Sequence, residues 1–277
     1  MEKSNKEGRI VMRQRILTAA LALAVFVPFM IKGGAWFAWL IFILGAIGLY
    51  ELARMKQVPY LSEVGLVSTI AIMSIILPER YFDQILPMMN PVGLFFICGM
   101  VLLVLTVYRY DRFNFVDAAT LIFGVLYIGV GMRFLIVIRD LGLENIFYLF
   151  IVIWSTDSGA YLVGKRYGHH QLAGHISPKK TIEGALGGIV TALITTSLYA
   201  TFVDLDIRYG HSLAVLTVLI SLAGQLGDLV ESAFKRYFQV KDSGNLLPGH
   251  GGVLDRFDSS IFASILFMVW QGITNFN

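Results

Sequence analysis

Residues 213–258 read L-A-V-L-T-V-L-I-S-L-A-G-Q-L-G-D-L-V-E-S-A-F-K-R-Y-F-Q-V-K-D-S-G-N-L-L-P-G-H-G-G-V-L-D-R-F-D. The first part, Leu213–Val230, is nearly continuous apolar sequence close to the ~20 residues that cross a bilayer as helix. It runs directly into a polar, glycine-rich stretch. Lys235, Arg236, Lys241 and Arg256 supply positive charge there, and Asp242, Asp255 and Asp258 supply carboxylates. A second apolar segment, Ser260–Thr274, follows. Two membrane helices joined by such a loop place chemistry at a membrane surface. Glycines let backbone N–H groups approach an anion, Lys and Arg neutralise phosphate charge, and carboxylates hold hard divalent cations.

The rest of the chain agrees with a membrane solvent. Of its 277 residues 56% are hydrophobic and 15% charged, with mean hydropathy +0.70. A soluble domain is nearer 45–50% apolar and about 25% charged. A net charge of only +3 gives little support for nucleic-acid binding. The one cysteine, Cys98, lies in an apolar run, which excludes an intrachain disulfide framework and an all-cysteine metal site.

Nine apolar segments are expected to form transmembrane helices. They run Ile16–Ile31, Ala35–Leu52, Val64–Leu77, Pro91–Val107, Ala118–Val137, Ile146–Val163, Ala185–Phe202, Leu213–Val230 and Ser260–Thr274. The first follows a basic stretch, as a signal peptide does. Pro28-Phe29-Met30-Ile31-Lys32 stands where small cleavage-site residues belong, so it reads as an uncleaved anchor. With the N-terminus cytoplasmic and the C-terminus outside, 17 of the 22 basic residues fall on the inner side. The five on the outer side are Lys32, Arg80, Arg133, Arg139 and Arg208. The expected fold is therefore an all-α polytopic membrane protein. Residues 1–150 form an N-terminal transmembrane region. Residues 151–277 form a catalytic region whose two long connections, Gly164–Gly184 and Glu231–Ser259, are cytoplasmic.

Several polar residues stand out against this background. Gln225, Asp228, Glu231, Ser232 and Lys235 largely share one helix face. A carboxylate at membrane depth is costly and tends to be functional; the bland reading of Asp228 is an interfacial side chain hydrated from the cytoplasm. Asp255 and Asp258, three apart at the entrance to the last segment, suit one cation, although an Asp there also caps a helix. His250 lies between glycines and is a candidate for phosphate contact. In the other loop, Asp157 and Tyr161 precede Gly164, Lys165 and Gly168, and then I-S-P-K-K-T-I-E-G-A-L-G-G covers 176–188. Lys179 and Lys180 before a helix start suit phosphate; Gly184, Gly187 and Gly188 suit phosphate approach or tight helix packing. His169, His170 and His175 lack supporting acids in the sequence and read as surface histidines. Tyr50 and Glu51 close the second segment; their role is left open.

These residues resemble the signature of the CDP-diacylglycerol synthase (phosphatidate cytidylyltransferase) family. Its pattern is S-x-apolar-K-R-x4-K-D-x-small-x2-apolar-P-x-H-G-G-apolar-x-D-R-apolar-D. Every fixed position is filled here, from Ser232 through Lys235, Arg236, Lys241, Asp242, Pro248, His250, Gly251, Gly252, Asp255 and Arg256 to Asp258. The upstream D-S-G-A-Y-L-V-G and S-P-K-K-T-x-E-G strings are similar to a second family region; Ile182 stands where many members carry Trp. The first 150 residues match mainly in hydropathy. The resemblance implies transfer of a cytidylyl group from CTP to phosphatidate, at the cytoplasmic face of a bacterial inner membrane. It implies catalytic roles for Asp228, Lys241, Asp242, His250, Asp255, Arg256 and Asp258. Substrate binding would fall to Ser177, Lys179, Lys180, Glu183, Ser232, Lys235, Arg236, Gly251 and Gly252. Asp228, Asp255 and Asp258 would hold Mg²⁺, with a second, monovalent ion such as K⁺ nearby. A homodimer among membrane lipids is implied by the same resemblance.

Rival classes have less support. A transporter would place its charges near the midplane, whereas these cluster at one face. The G-x4-G-K-[ST] loop of an ATP-driven pump and the D-G-x2-A-R string of a CDP-alcohol phosphotransferase are absent. A CTP-dependent lipid-alcohol kinase is the nearest alternative.

Overall fold

The computed structural model describes residues 2–84, 86–87, 89–205, 213–246 and 251–275, with side chains described from Leu17 to Ile273. The chain is built from helices α1 (Glu2–Lys32), α2 (Gly34–Met55), α3 (Glu63–Ile76), the short α4 (Glu79–Phe82), α5 (Pro91–Tyr108), α6 (Phe115–Leu141), α7 (Leu143–Tyr167), α8 (Ile182–Phe202), α9 (Leu213–Tyr237) and α10 (Leu254–Asn275). Each of the nine apolar segments lies largely within one of these helices. Among the described residues six helices, α2 and α5 through α9, are long and apolar enough to cross a membrane. The protein is an all-α polytopic membrane protein.

Local chemistry sets the helix starts. Ser62 Oγ accepts the Val64 N–H at 3.3 Å before α3. Asn90 Oδ1 accepts Val92 and Gly93 N–H before α5, with Pro91 at the first helical position, where its missing N–H costs nothing. Asn114 and Asp117 cap α6 reciprocally, each backbone N–H donating to the other's side chain at 3.0 and 3.1 Å.

Two compact units emerge. The first comprises Met1–Gly129 with Val240–Arg256, the second Val130–Gln239 with Phe257–Asn277. In the first, α2 packs on α1 and α3, and α3 on α5, around fully buried Phe37, Ile41, Leu49, Ile72 and Leu102. Ion pairs Lys56–Asp117 (3.1 Å) and Arg109–Glu63 (2.6 Å) tie its connecting segments. In the second, α7 packs on α8 and α9. Its buried hydroxyls pair between helices: Tyr148 with Thr217 at 2.9 Å and Thr156 with Ser221 at 2.8 Å. Such bonds, with small residues at the contact, are how helices associate in a solvent as apolar as their own side chains.

One element departs from the all-helical expectation. Between α7 and α8 the chain forms an antiparallel hairpin of β1 (Gln171–Ala173) and β2 (Ser177–Thr181), pairing Gln171 with Thr181 and Ala173 with Ser177.

Candidate active site

The second unit contains a cavity of about 260 Å³. Asp157 and Tyr161 of α7, Leu172 of β1, Lys179, Lys180 and Thr181 of β2, Gly184 and Ala185 of α8, and Gln225 and Asp228 of α9 line it. The walls meet because α7 and α8 approach closely. A Cβ at Gly184 would stand 2.8 Å from the Ala160 carbonyl oxygen, and one at Gly188 would stand 2.6 Å from that of Thr156. Thr181 Oγ1 accepts the Gly184 N–H at 3.1 Å and caps α8. The lysines therefore stand just before the positive end of a helix, a setting that suits anions.

Glu183 holds the hairpin to that helix start. Its carboxylate accepts the N–H groups of His169 (3.1 Å) and His170 (3.2 Å) and lies 2.6 Å from His170 Nδ1. The reading of the three histidines as lacking acids is thus corrected at His170. Its partner is thirteen residues away, a distance that strand pairing closes. At the opposite end of the hairpin, Arg236 Nε donates to the Ile176 carbonyl at 3.1 Å. Ser177 and the exposed Lys179 share strand β2.

Charge in this unit is unevenly compensated. Lys180 forms an ion pair with Asp228, whose other oxygen lies 3.4 Å from Ser232 Oγ. Lys235 pairs with the buried Glu231 one turn away. Asp258, on α10 before the apolar segment Ser260–Thr274, is buried. Burial first, then the like charge of Asp228 and more weakly of Asp157, pushes its carboxyl up to about 7; the Ser259 N–H at 2.6 Å and Lys235 oppose this only in part. Mutually repelling carboxylates of this kind fit a hard divalent cation, which would relieve the repulsion. Among the described residues no group of three or more His, Cys, Asp or Glu side chains is arranged to hold a metal.

The signature loop belongs to the first unit and is organised differently. Asp255 Oδ2 accepts the Ser243 N–H (2.9 Å), the Ser243 hydroxyl (2.8 Å) and the Gly252 N–H (2.8 Å). Glu51, from the end of α2, accepts the Val253 N–H at 2.9 Å and the Leu254 N–H at 2.8 Å, with Ser243 Oγ at 3.2 Å. Gly251 takes φ +83°, a conformation that L side chains rarely adopt. Lys241, Asp242 and Arg256 are exposed beside this turn. His250 lies outside the described residues.

The sequence put Lys179 and Lys180 in one loop region with Asp157 and Tyr161 and set Asp228 apart with Asp255 and Asp258; the cavity brings Asp228 together with the first group. Sequence reasoning left the role of Glu51 open and gave Ser243 none. The only signal for Glu51 was a carboxylate closing an otherwise apolar segment.

Known proteins point the same way. A family model described as the cytidylyltransferase family matches residues 13–273. The chain is 43% identical over 253 residues to a phosphatidate cytidylyltransferase of Staphylococcus saprophyticus subsp. saprophyticus. It is 45% identical to the protein of that name from Staphylococcus aureus strain COL, and 43% identical to that of Staphylococcus epidermidis strain ATCC 12228. Each match spans 91% of this chain and 95% of the relative.

Proposed function

The chain belongs to the cytidylyltransferase family, and on that premise we infer that it transfers the cytidylyl group of CTP to phosphatidate, giving CDP-diacylglycerol and pyrophosphate. The observation that carries this reading to particular residues is the cavity in which Lys179, Lys180, Asp157 and Asp228 meet within a polytopic membrane protein. A phosphate-monoester oxygen of phosphatidate attacks the α-phosphorus of CTP. The bond from that phosphorus to the β-phosphate bridging oxygen breaks, and pyrophosphate leaves with the electron pair. The nucleophile is already an anion, so charge neutralisation and alignment matter more than a general base.

We assign the triphosphate to Lys179 and Lys180 at the start of α8. Lys180 pairs with Asp228 and can turn to phosphate when a cation takes its place. For Lys235, Arg236, Lys241 and Arg256 the resemblance implies phosphate contacts as well. Asp228 and Asp258 are assigned to Mg²⁺, which when bound supplies charge neutralisation to the triphosphate. The resemblance also names Asp255 as a metal ligand; one of its oxygens accepts the Ser243 and Gly252 N–H groups.

The topology proposed with this chemistry has nine spans in the cytoplasmic membrane, the N-terminus and both long loops inside, and the C-terminus outside. The skew of basic residues supports it. Cysteines at Gln171 and Asn275 in a Cys98-free background are expected to label from opposite faces; labelling from one face overturns the nine-span arrangement. A homodimer is proposed from the resemblance alone, and light scattering of the detergent-solubilised protein tests it.

The decisive assay uses purified protein, labelled CTP, phosphatidate and Mg²⁺. A lipid-soluble cytidine product with pyrophosphate is expected. Turnover of diacylglycerol to phosphatidate with release of CDP would assign the lipid-alcohol kinase reaction instead.

A further inference from the structure

We propose that Glu51 is a positioning residue for this enzyme: its carboxylate is the anion around which the G-G-V-L-D turn, residues 251–255, is folded. The catalytic part of this proposal rests on the reaction inferred above. The structural part does not.

After Gly251, three successive N–H groups turn toward carboxylates. Gly252 donates to Asp255, Val253 to Glu51 Oε1 and Leu254 to Glu51 Oε2. Successive backbone N–H groups at a helix start form an anion-binding concavity. Here the protein's own carboxylates fill it. Glu51 is 2% exposed, and both of its oxygens act as acceptors. A hydroxyl has one proton, so Ser243 serves either Asp255 at 2.8 Å or Glu51 at 3.2 Å. The two backbone donors are therefore the fixed part of the Glu51 contact.

The glycines of the signature support the same assignment. A Cβ at Gly252 would collide with Glu51 Oε2 and Ser243 Oγ, and one at Gly244 with Glu51 Oε1. The sequence alone suggests that such glycines admit a substrate phosphate. The geometry points to a second reason: they admit the side chain of α2. Lys241, Asp242 and Arg256 flank this turn, so their placement depends on a carboxylate roughly 190–200 positions earlier in the chain.

Glu51→Gln keeps the shape but turns an amide N–H₂ toward one of two N–H donors, leaving that donor unsatisfied. The test uses full-length protein in lipid nanodiscs, in a Cys98→Ser background, with a spin label at Asn245→Cys on the exposed loop. In E51Q the label is expected to become more mobile and kcat to fall between about 10- and 100-fold, as for a displaced group. E51D, one methylene short but still charged, should recover part of both. An unchanged label and wild-type kcat in E51Q overturn the proposal.

A mutant cycle reads the glycine. G252A should be damaging in the wild-type background, less so in S243A, and add little in E51A/S243A, where all the colliding oxygens are gone. Equal losses in all three backgrounds would assign Gly252 to substrate approach and sink the claim. Should E51Q fail to fold, E51D gives the loop reading: a label more mobile than in the wild-type background supports the clamp and an unchanged one refutes it. The label reports on the loop whatever reaction is catalysed, so failure of the assigned reaction and failure of the clamp are separately visible.

Discussion

The cavity of the second unit and the signature loop of the first are made of the same materials and use them oppositely. Both combine glycines, carboxylates and basic residues. In the cavity, Lys179, Lys180, Asp157 and Asp228 present charge to a space. In the loop, both oxygens of Glu51 and one of Asp255 accept the N–H groups of Ser243, Gly252, Val253 and Leu254. A carboxylate facing a cavity is available to ligands. A carboxylate saturated by backbone donors fixes conformation. Composition does not distinguish the two, and resemblance alone assigned Asp228 and Asp255 the same job.

The largest expected effect tests the cavity side. Asp228→Asn keeps the size of the side chain while removing the charge that pairs with Lys180. It should cost about 10²–10³-fold in kcat, the scale for losing one preorganised charge at a reacting phosphate. Mg²⁺-dependent turnover in matched detergent is the measurement, and near-normal activity would remove Asp228 from the site.

A smaller effect sharpens the contrast itself. Asp255→Asn should weaken the loop and reduce turnover by about 10- to 100-fold. Combined with Asp228→Asn, the losses should multiply if the two residues do separate work. A double mutant little worse than the worse single would instead mean that both serve one ion.

The smallest effect concerns pH. The Asp258 carboxyl is raised to about 7 from its ordinary 3.8, so between those values the folded protein holds a proton that the unfolded chain has lost. Stability of metal-free protein should therefore fall as pH rises from about 4 to about 7. Saturating Mg²⁺ or Asp258→Asn should flatten that slope. Melting temperatures across this range, with and without chelator, decide it; an equal slope in Asp258→Asn would assign the titration elsewhere.

Helix content was legible because bilayer crossing is written in composition: each apolar segment read from the sequence falls on a helix. The hairpin was not. Q-L-A and S-P-K-K-T are short and polar, and the segment is gripped by Glu183 from the following helix. The cavity was legible in parts. Spacing put Asp157 with Tyr161 and Asp228 with Gln225 on single helices, but not which helices adjoin. That depends on the close approach at Gly184 and Gly188. Glu51 was least legible. A glutamate at a helix end beside the membrane reads as an interfacial charge until its partners are known.

Those partners have a consequence in time. Val253 and Leu254 lie 202 and 203 residues after Glu51. At roughly 5–20 residues per second of synthesis, α2 must wait on the order of 10–40 s for the donors that satisfy its carboxylate. During that interval a buried acid in a nascent membrane helix depends on water at the bilayer surface or on the insertion machinery. The signature loop is therefore among the last parts of the first unit to be completed, and a chain truncated before residue 253 would carry an α2 whose end was built for a partner that never arrives.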